Sequence, residues 1–92
     1  MSADPLLANA RGMPLFRLHH RHQAEECAAI YAAWKGFDSP LRRSLTLASC
    51  REGDHAIWWD VEAPDRHRAL ELLPPYVASR TNVVGVSEVE IP

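Results

Sequence analysis

The stretch HAIWWDVEA, His55–Ala63, decides the fold. Side chains alternate across a strand, so a period of two sends Ile57, Trp59 and Val61 to one face. Trp58, Asp60 and Glu62 then point to the other. One apolar face beside one mixed face marks a strand in an antiparallel sheet covered on a single side. The preceding run SLTLASC (Ser44–Cys50) reads as its hairpin partner across REGD. A three-residue loop Arg51-Glu52-Gly53, with Gly53 left-handed, is a common hairpin type. It predicts Leu47 opposite Ile57 and Leu45 opposite Trp59, gathering the apolar residues on one face.

Outward from the hairpin, PLFRLHHR (Pro14–Arg21) reads as a first strand, with Phe16 and Leu18 inward and His20 at the core rim. QAEECAAIYAAWK (Gln23–Lys35) has helical periodicity: at about 100° per residue, Ile30, Trp34, Cys27, Tyr31, Ala24 and Ala28 fill one arc. Gly36 is its expected left-handed stop. Pro64–Leu73 reads as a second helix with Pro64 in its first turn, ended by Pro74-Pro75, after which PYVASR adds a further turn. TNVVGVSEVEI (Thr81–Ile91) is the last strand. Its apolar parity changes between Val84/Val86 and Val89/Ile91, which predicts a bulge near Gly85.

The order is β-α-β-β-α-β. It predicts an α+β, ferredoxin-like sandwich, a four-stranded antiparallel sheet with two helices on one face. The first and third strands are expected side by side and parallel at the centre, with the second and fourth at the edges. Residues 1–12, rich in Pro, Asp, Asn and Gly, read as a flexible tail, and 13–92 as a single domain.

Composition narrows the function. The chain has 92 residues and a net charge of −2, with its basic residues scattered, so no stripe suits a nucleic-acid backbone. No run approaches the roughly 18 apolar residues of a membrane span, and the N-terminus lacks a secretory pattern. Two cysteines without a Cys-x-x-Cys spacing give no disulfide framework, and a cytoplasmic location is the expectation.

Chemistry concentrates in the run from His19 to His22. Parallel neighbours would place Arg17 and His19 beside Trp58, Asp60 and Glu62 on the open face. His19 is then a candidate catalytic base oriented by Asp60 or Glu62, with Arg17, Trp58 and His19 binding a ligand. His20 and His22 share a face and are candidate ligands for a transition metal such as Ni, Zn or Cu. Parallel strands also put Cys50 and His55 at the far end, which excludes a site joining them to the histidines. Cys27, in the apolar arc, reads as an inert buried thiol. Trp34, Phe37, Arg42 and Arg43 of the loop WKGFDSPLRR suggest a place for an anionic ligand, beside the plainer reading of core aromatics with exposed arginines. Trp58 in a charged rim points to an isologous homodimer.

The segment order, with DVEAPDRHRAL leading to a final VSEVEI, resembles small ferredoxin-like domains of unknown function, some of which bind nickel or other metals. The likeness spans residues 13–92. More distantly the layout is similar to dimeric α/β-barrel proteins, which include cofactor-free monooxygenases and isomerases. The resemblance implies a binding module for a small ligand or metal, or a cofactor-free enzyme. A non-catalytic interaction subunit is the third expectation.

Overall fold

A computed structural model describes residues 12–92, so most of the expected tail lies outside the described residues. Four strands, β1 (Leu15–Arg21), β2 (Leu47–Ala48), β3 (Ala56–Glu62) and β4 (Thr81–Val86), form one sheet in the order β2-β3-β1-β4. Three short helices accompany them: α1 (Cys27–Ala32), α2 (Arg66–Leu70) and α3 (Pro75–Ala78). The fold is α+β with a wholly antiparallel sheet. Among the described residues no helix is long and apolar enough to cross a membrane.

The alternation read from β3 holds. Ile57, Trp59 and Val61 are buried, and Trp58 and Asp60 lie on the opposite face. Phe16, Leu18 and His20 of β1 are buried on the same side. Ile30 of α1, Ala69 of α2 and Val77 of α3 join the apolar side chains in one cluster. Leu18 is fully buried, worth about 1.5–3 kcal/mol by transfer of a Leu side chain alone.

The direction of β3 corrects the expectation. It runs antiparallel to β1, pairing Leu15 with Glu62, Arg17 with Asp60, His19 with Trp58 and Arg21 with Ala56. The cause is topological: the long crossover returns β2 in the direction of β1, and the hairpin then inverts β3. The end of β1 therefore meets the beginning of β3, and Cys50 and His55 come to the histidine end.

The hairpin forms with its register slipped by one residue. Leu47 pairs with Trp58 and Ala48 with Ile57. A 3₁₀ turn, Cys50–Glu52, lengthens the connection, and Gly53 and His55 both take positive φ, 91° and 49°. Ser49 closes the turn, its N–H donating to the Ala56 carbonyl at 2.8 Å and its carbonyl accepting from Asp54 N–H at 3.1 Å. Because strand parity is two, the slip exposes Leu45 and Leu47, at 101% and 76%.

The helices are shorter than their patterns. Ahead of α1 lies a 3₁₀ turn, Ala24–Glu26, in which the Glu26 carboxylate accepts from Gln23 N–H at 2.8 Å. After α1 the N–H groups of Trp34 and Lys35 reach back only three residues, tightening the chain before Gly36 at φ 74°. Pro64 precedes the cap of α2 rather than sitting in its first turn. The cap is Asp65, whose carboxylate accepts from Arg68 N–H at 2.8 Å. Pro75 opens α3. β4 pairs with β1 without a bulge and ends at Val86, so the parity change marks the end of the strand.

Candidate metal centre

Four side chains converge where β1 ends. His22 follows β1, Cys27 opens α1, and Cys50 and His55 bracket the turn before β3. One donor atom from each lies within 4.8 Å of the other three. Backbone holds two of these segments together, since His22 N–H donates to the His55 carbonyl at 3.1 Å. The Cys50 Sγ is 3.6 Å from His22 Nε2. Zinc–sulfur and zinc–nitrogen bonds of about 2.3 and 2.0–2.1 Å give a tetrahedral S···N edge of roughly 3.6 Å. That contact already has the spacing an ion needs, and the remaining donor pairs, within 4.8 Å of one another, must close by no more than about 1.5 Å.

A chain of hydrogen bonds prepares His22. The Thr81 hydroxyl donates to the Val77 carbonyl at 2.8 Å, so toward His20 it acts as an acceptor. His20 Nδ1 lies 3.2 Å from both that hydroxyl oxygen and the Val77 carbonyl, and it must carry the proton. His20 Nε2 is then the acceptor for His22 Nδ1–H, 3.0 Å away. His22 is left with its Nε2 lone pair directed at the four-donor cluster. Burial pulls both imidazoles below their ordinary pKa, which keeps them neutral as the chain requires. Second-layer bonding of this kind orients metal-binding histidines and sets their tautomer.

The other donors fit the same reading. His55 Nδ1 is buried with no hydrogen-bond partner among the described residues, and the residue sits at φ 49°, uncommon for a side chain with a Cβ although histidine enters that region more readily than most. Burial, and then the adjacent Cys50 thiol, push the Cys27 thiol up. The Tyr31 hydroxyl donates to Cys50 Sγ at 3.6 Å, and burial with this bond raises the phenol to about 12. A bound cation reverses the cost of thiolates in such a place, because the ion becomes the largest local charge. Nearby arginine charge is partly offset, with Arg21 pairing to Asp54 at 3.2 Å.

The sequence-based candidates fall in three places. His22 is in the cluster. His20 is fully buried behind it, with both ring nitrogens already engaged in hydrogen bonds. Arg17, His19, Trp58, Asp60 and Glu62 lie across β1 and β3. There Arg17 grips Asp60 with two bonds of 2.7 and 2.9 Å, holding the carboxyl below its ordinary range. His19 stacks on Trp58, rings 5.3 Å apart and 11° from parallel, with its Nε2 buried and unpartnered among the described residues. Glu62 is opposite Leu15, four residues along from the His19 position, which is about 13 Å at strand rise.

Cys27, Cys50 and His55 were not singled out as ligands by sequence reasoning. Their signal is a mirrored spacing, His22-x₄-Cys27 and Cys50-x₄-His55, hidden by the assumed strand direction. The chain matches no protein-family model, no curated protein and no solved structure. The site's own chemistry must carry the functional reading.

Proposed function

We propose that this chain is a small zinc-binding domain of ferredoxin-like arrangement, its helices layered on the buried sheet face. In this reading His22, Cys27, Cys50 and His55 hold one ion. The observation that carries it is the convergence of four soft and borderline donors within 4.8 Å from three separate segments. Two thiolates and two imidazoles in a tetrahedral set suit Zn²⁺ over Mg²⁺ or Ca²⁺, which take oxygen ligands. With four protein donors no position remains for substrate, so the ion's role is to clamp β1, α1 and the turn before β3. A cofactor-free enzyme on the open face would need a carboxylate for His19, and Asp60 is committed to Arg17. Leu47 and Trp58 mark where a second copy would pack, and native mass spectrometry reads that pairing.

The test is metal content. Protein purified under reducing, chelator-free conditions and equilibrated with zinc should retain one equivalent after desalting. Cobalt substitution should give the intense visible bands of a tetrahedral thiolate site. Both should vanish in Cys27→Ser/Cys50→Ser. Stoichiometric zinc retained by that double variant would overturn the assignment.

A further inference from the structure

A second feature lies beside the metal cluster and is independent of it. A cleft of about 660 Å³ opens between α1, the chain that follows it and the edge strand. Four cations line it, Lys35, Arg42, Arg43 and Arg51, and among the described residues no acidic one does. In a chain of net charge −2 this is a strong local excess of positive charge. Among the described residues none of the four is paired with a carboxylate; the ion pairs engage Arg17, Arg21, His67, Arg68 and Arg80 instead. The floor is apolar and aromatic, formed by Trp34, Trp59 and Ile57. Trp34 is tilted against Trp59, rings 5.8 Å apart, which fixes both indoles in the floor.

The slipped hairpin creates this space. With Leu45 and Leu47 facing inward, their side chains would have filled the space above the buried Ile57 and Trp59. In the observed register Leu45 is wholly exposed and the cleft stays open. Arg43 stands at its edge with φ 69°, a conformation that residues with a Cβ adopt rarely.

We propose that this cleft binds a small amphipathic anion, an apolar body bearing a carboxylate, sulfonate or phosphate. The half-buried Trp34 indole, with Tyr31 and Leu41 on the walls, takes the body, over a floor backed by the buried Trp59 and Ile57. The unpaired guanidinium groups take the head, for which their planar fork is suited. The volume falls in the range of pockets for small organic ligands of about 300–1,000 Å³. An inorganic anion alone would leave the aromatic floor wet, and a nucleic-acid strand would require positive charge to continue beyond one cleft.

The probe is 8-anilinonaphthalene-1-sulfonate, titrated into the zinc-equilibrated full chain and followed by its fluorescence. One saturable site is expected. N-phenyl-1-naphthylamine, the same frame without the sulfonate, should bind at least tenfold more weakly. Arg42→Glu/Arg43→Glu should weaken the sulfonate at least tenfold with an unchanged circular dichroism spectrum, whereas Arg68→Glu, an exposed charge reversal on α2 outside the cleft, should leave it intact. Should the double variant not fold, the exposed single change Arg51→Glu replaces it. Displacement by 1-naphthyl phosphate but not dodecanoate assigns an aromatic phosphate, and the converse a hydrocarbon carboxylate. Equal affinity for the charged and uncharged probes, binding indifferent to the arginines, or displacement by neither competitor would overturn the proposal.

Discussion

Removing zinc should destabilise the fold by an amount that the loop between the ligands sets. Cys27 and Cys50 enclose 24 residues, counted inclusively, and that segment meets the sheet through a β2 of only two residues. Tying two such points removes chain entropy worth about 3.4 kcal/mol in the loop-closure treatment used for cross-links. Mass action gives a comparable figure. Free zinc held 1,000-fold above its dissociation constant stabilises the native state by about 4.1 kcal/mol, provided the unfolded chain does not bind. In a domain of this size 1 kcal/mol moves the melting temperature by roughly 4–8 °C. Zinc should therefore raise it by about 15 °C or more.

Thermal unfolding followed by far-ultraviolet circular dichroism, with a non-thiol reductant, reads this directly. The wild type is compared with and without zinc, and then Cys50→Ser under both conditions. The increment should be large in the wild type and clearly smaller in the variant, because the three donors left, His22, Cys27 and His55, still bridge the long loop but hold zinc less tightly. A wild-type increment under about 4 °C, the equivalent of 1 kcal/mol, would refute the clamp. So would an equal increment in Cys50→Ser.

Other outcomes follow from single contacts. His20→Phe removes the acceptor for His22 Nδ1–H and should weaken zinc affinity about 10–100-fold, measured by chelator competition, without abolishing it. Glu26 is held below its ordinary pKa, first by hydrogen bonds from Arg80 at 2.6 and 2.9 Å. A depressed carboxylate stabilises above its unfolded pKa and loses that contribution as pH falls through the folded value. The difference in urea midpoint between wild type and Glu26→Gln should thus be present at pH 7 and fade below about pH 4. Leu18→Ala should cost about 2–5 kcal/mol in urea denaturation, since the side chain is wholly enclosed. Leu45→Ser should change stability by no more than about 0.5 kcal/mol, because its side chain is exposed, whereas the packed register would make it a core deletion.

The parts of this fold legible in the sequence are those decided within one element. The inward set of β3 follows from period-two alternation whatever its neighbours do, and Trp59 and Trp58 fall on the faces assigned to them. Gly36 and Gly53 take the left-handed conformations that their positions ask for. What was not legible depends on relations between elements. Strand direction required following the chain through the crossover and the hairpin. Taking β1 and β3 as parallel sent Cys50 and His55 to the wrong end and hid the four-donor cluster. The slipped register was equally out of reach, because the apolar pattern of β2 argues for the alternative.

That conflict is itself informative. Three costs fall on the short segment from Leu45 to His55: two leucines left in water, a histidine at φ 49° and a buried imidazole nitrogen without a partner among the described residues. A sequence selected only for packing would remove all three by adopting the three-residue loop and turning Leu45 and Leu47 inward. Local rules are most often broken where function compensates for them. Here the strained turn carries Cys50 and His55, and it delivers both to a His22 whose tautomer is already set by His20, Thr81 and the Val77 carbonyl. The same slip keeps Leu45 and Leu47 off the apolar face that backs the cationic cleft. One change in register thus underlies both proposals, an ion clamp on one side of the hairpin and a ligand cleft on the other, and the exposed leucines are its consequence.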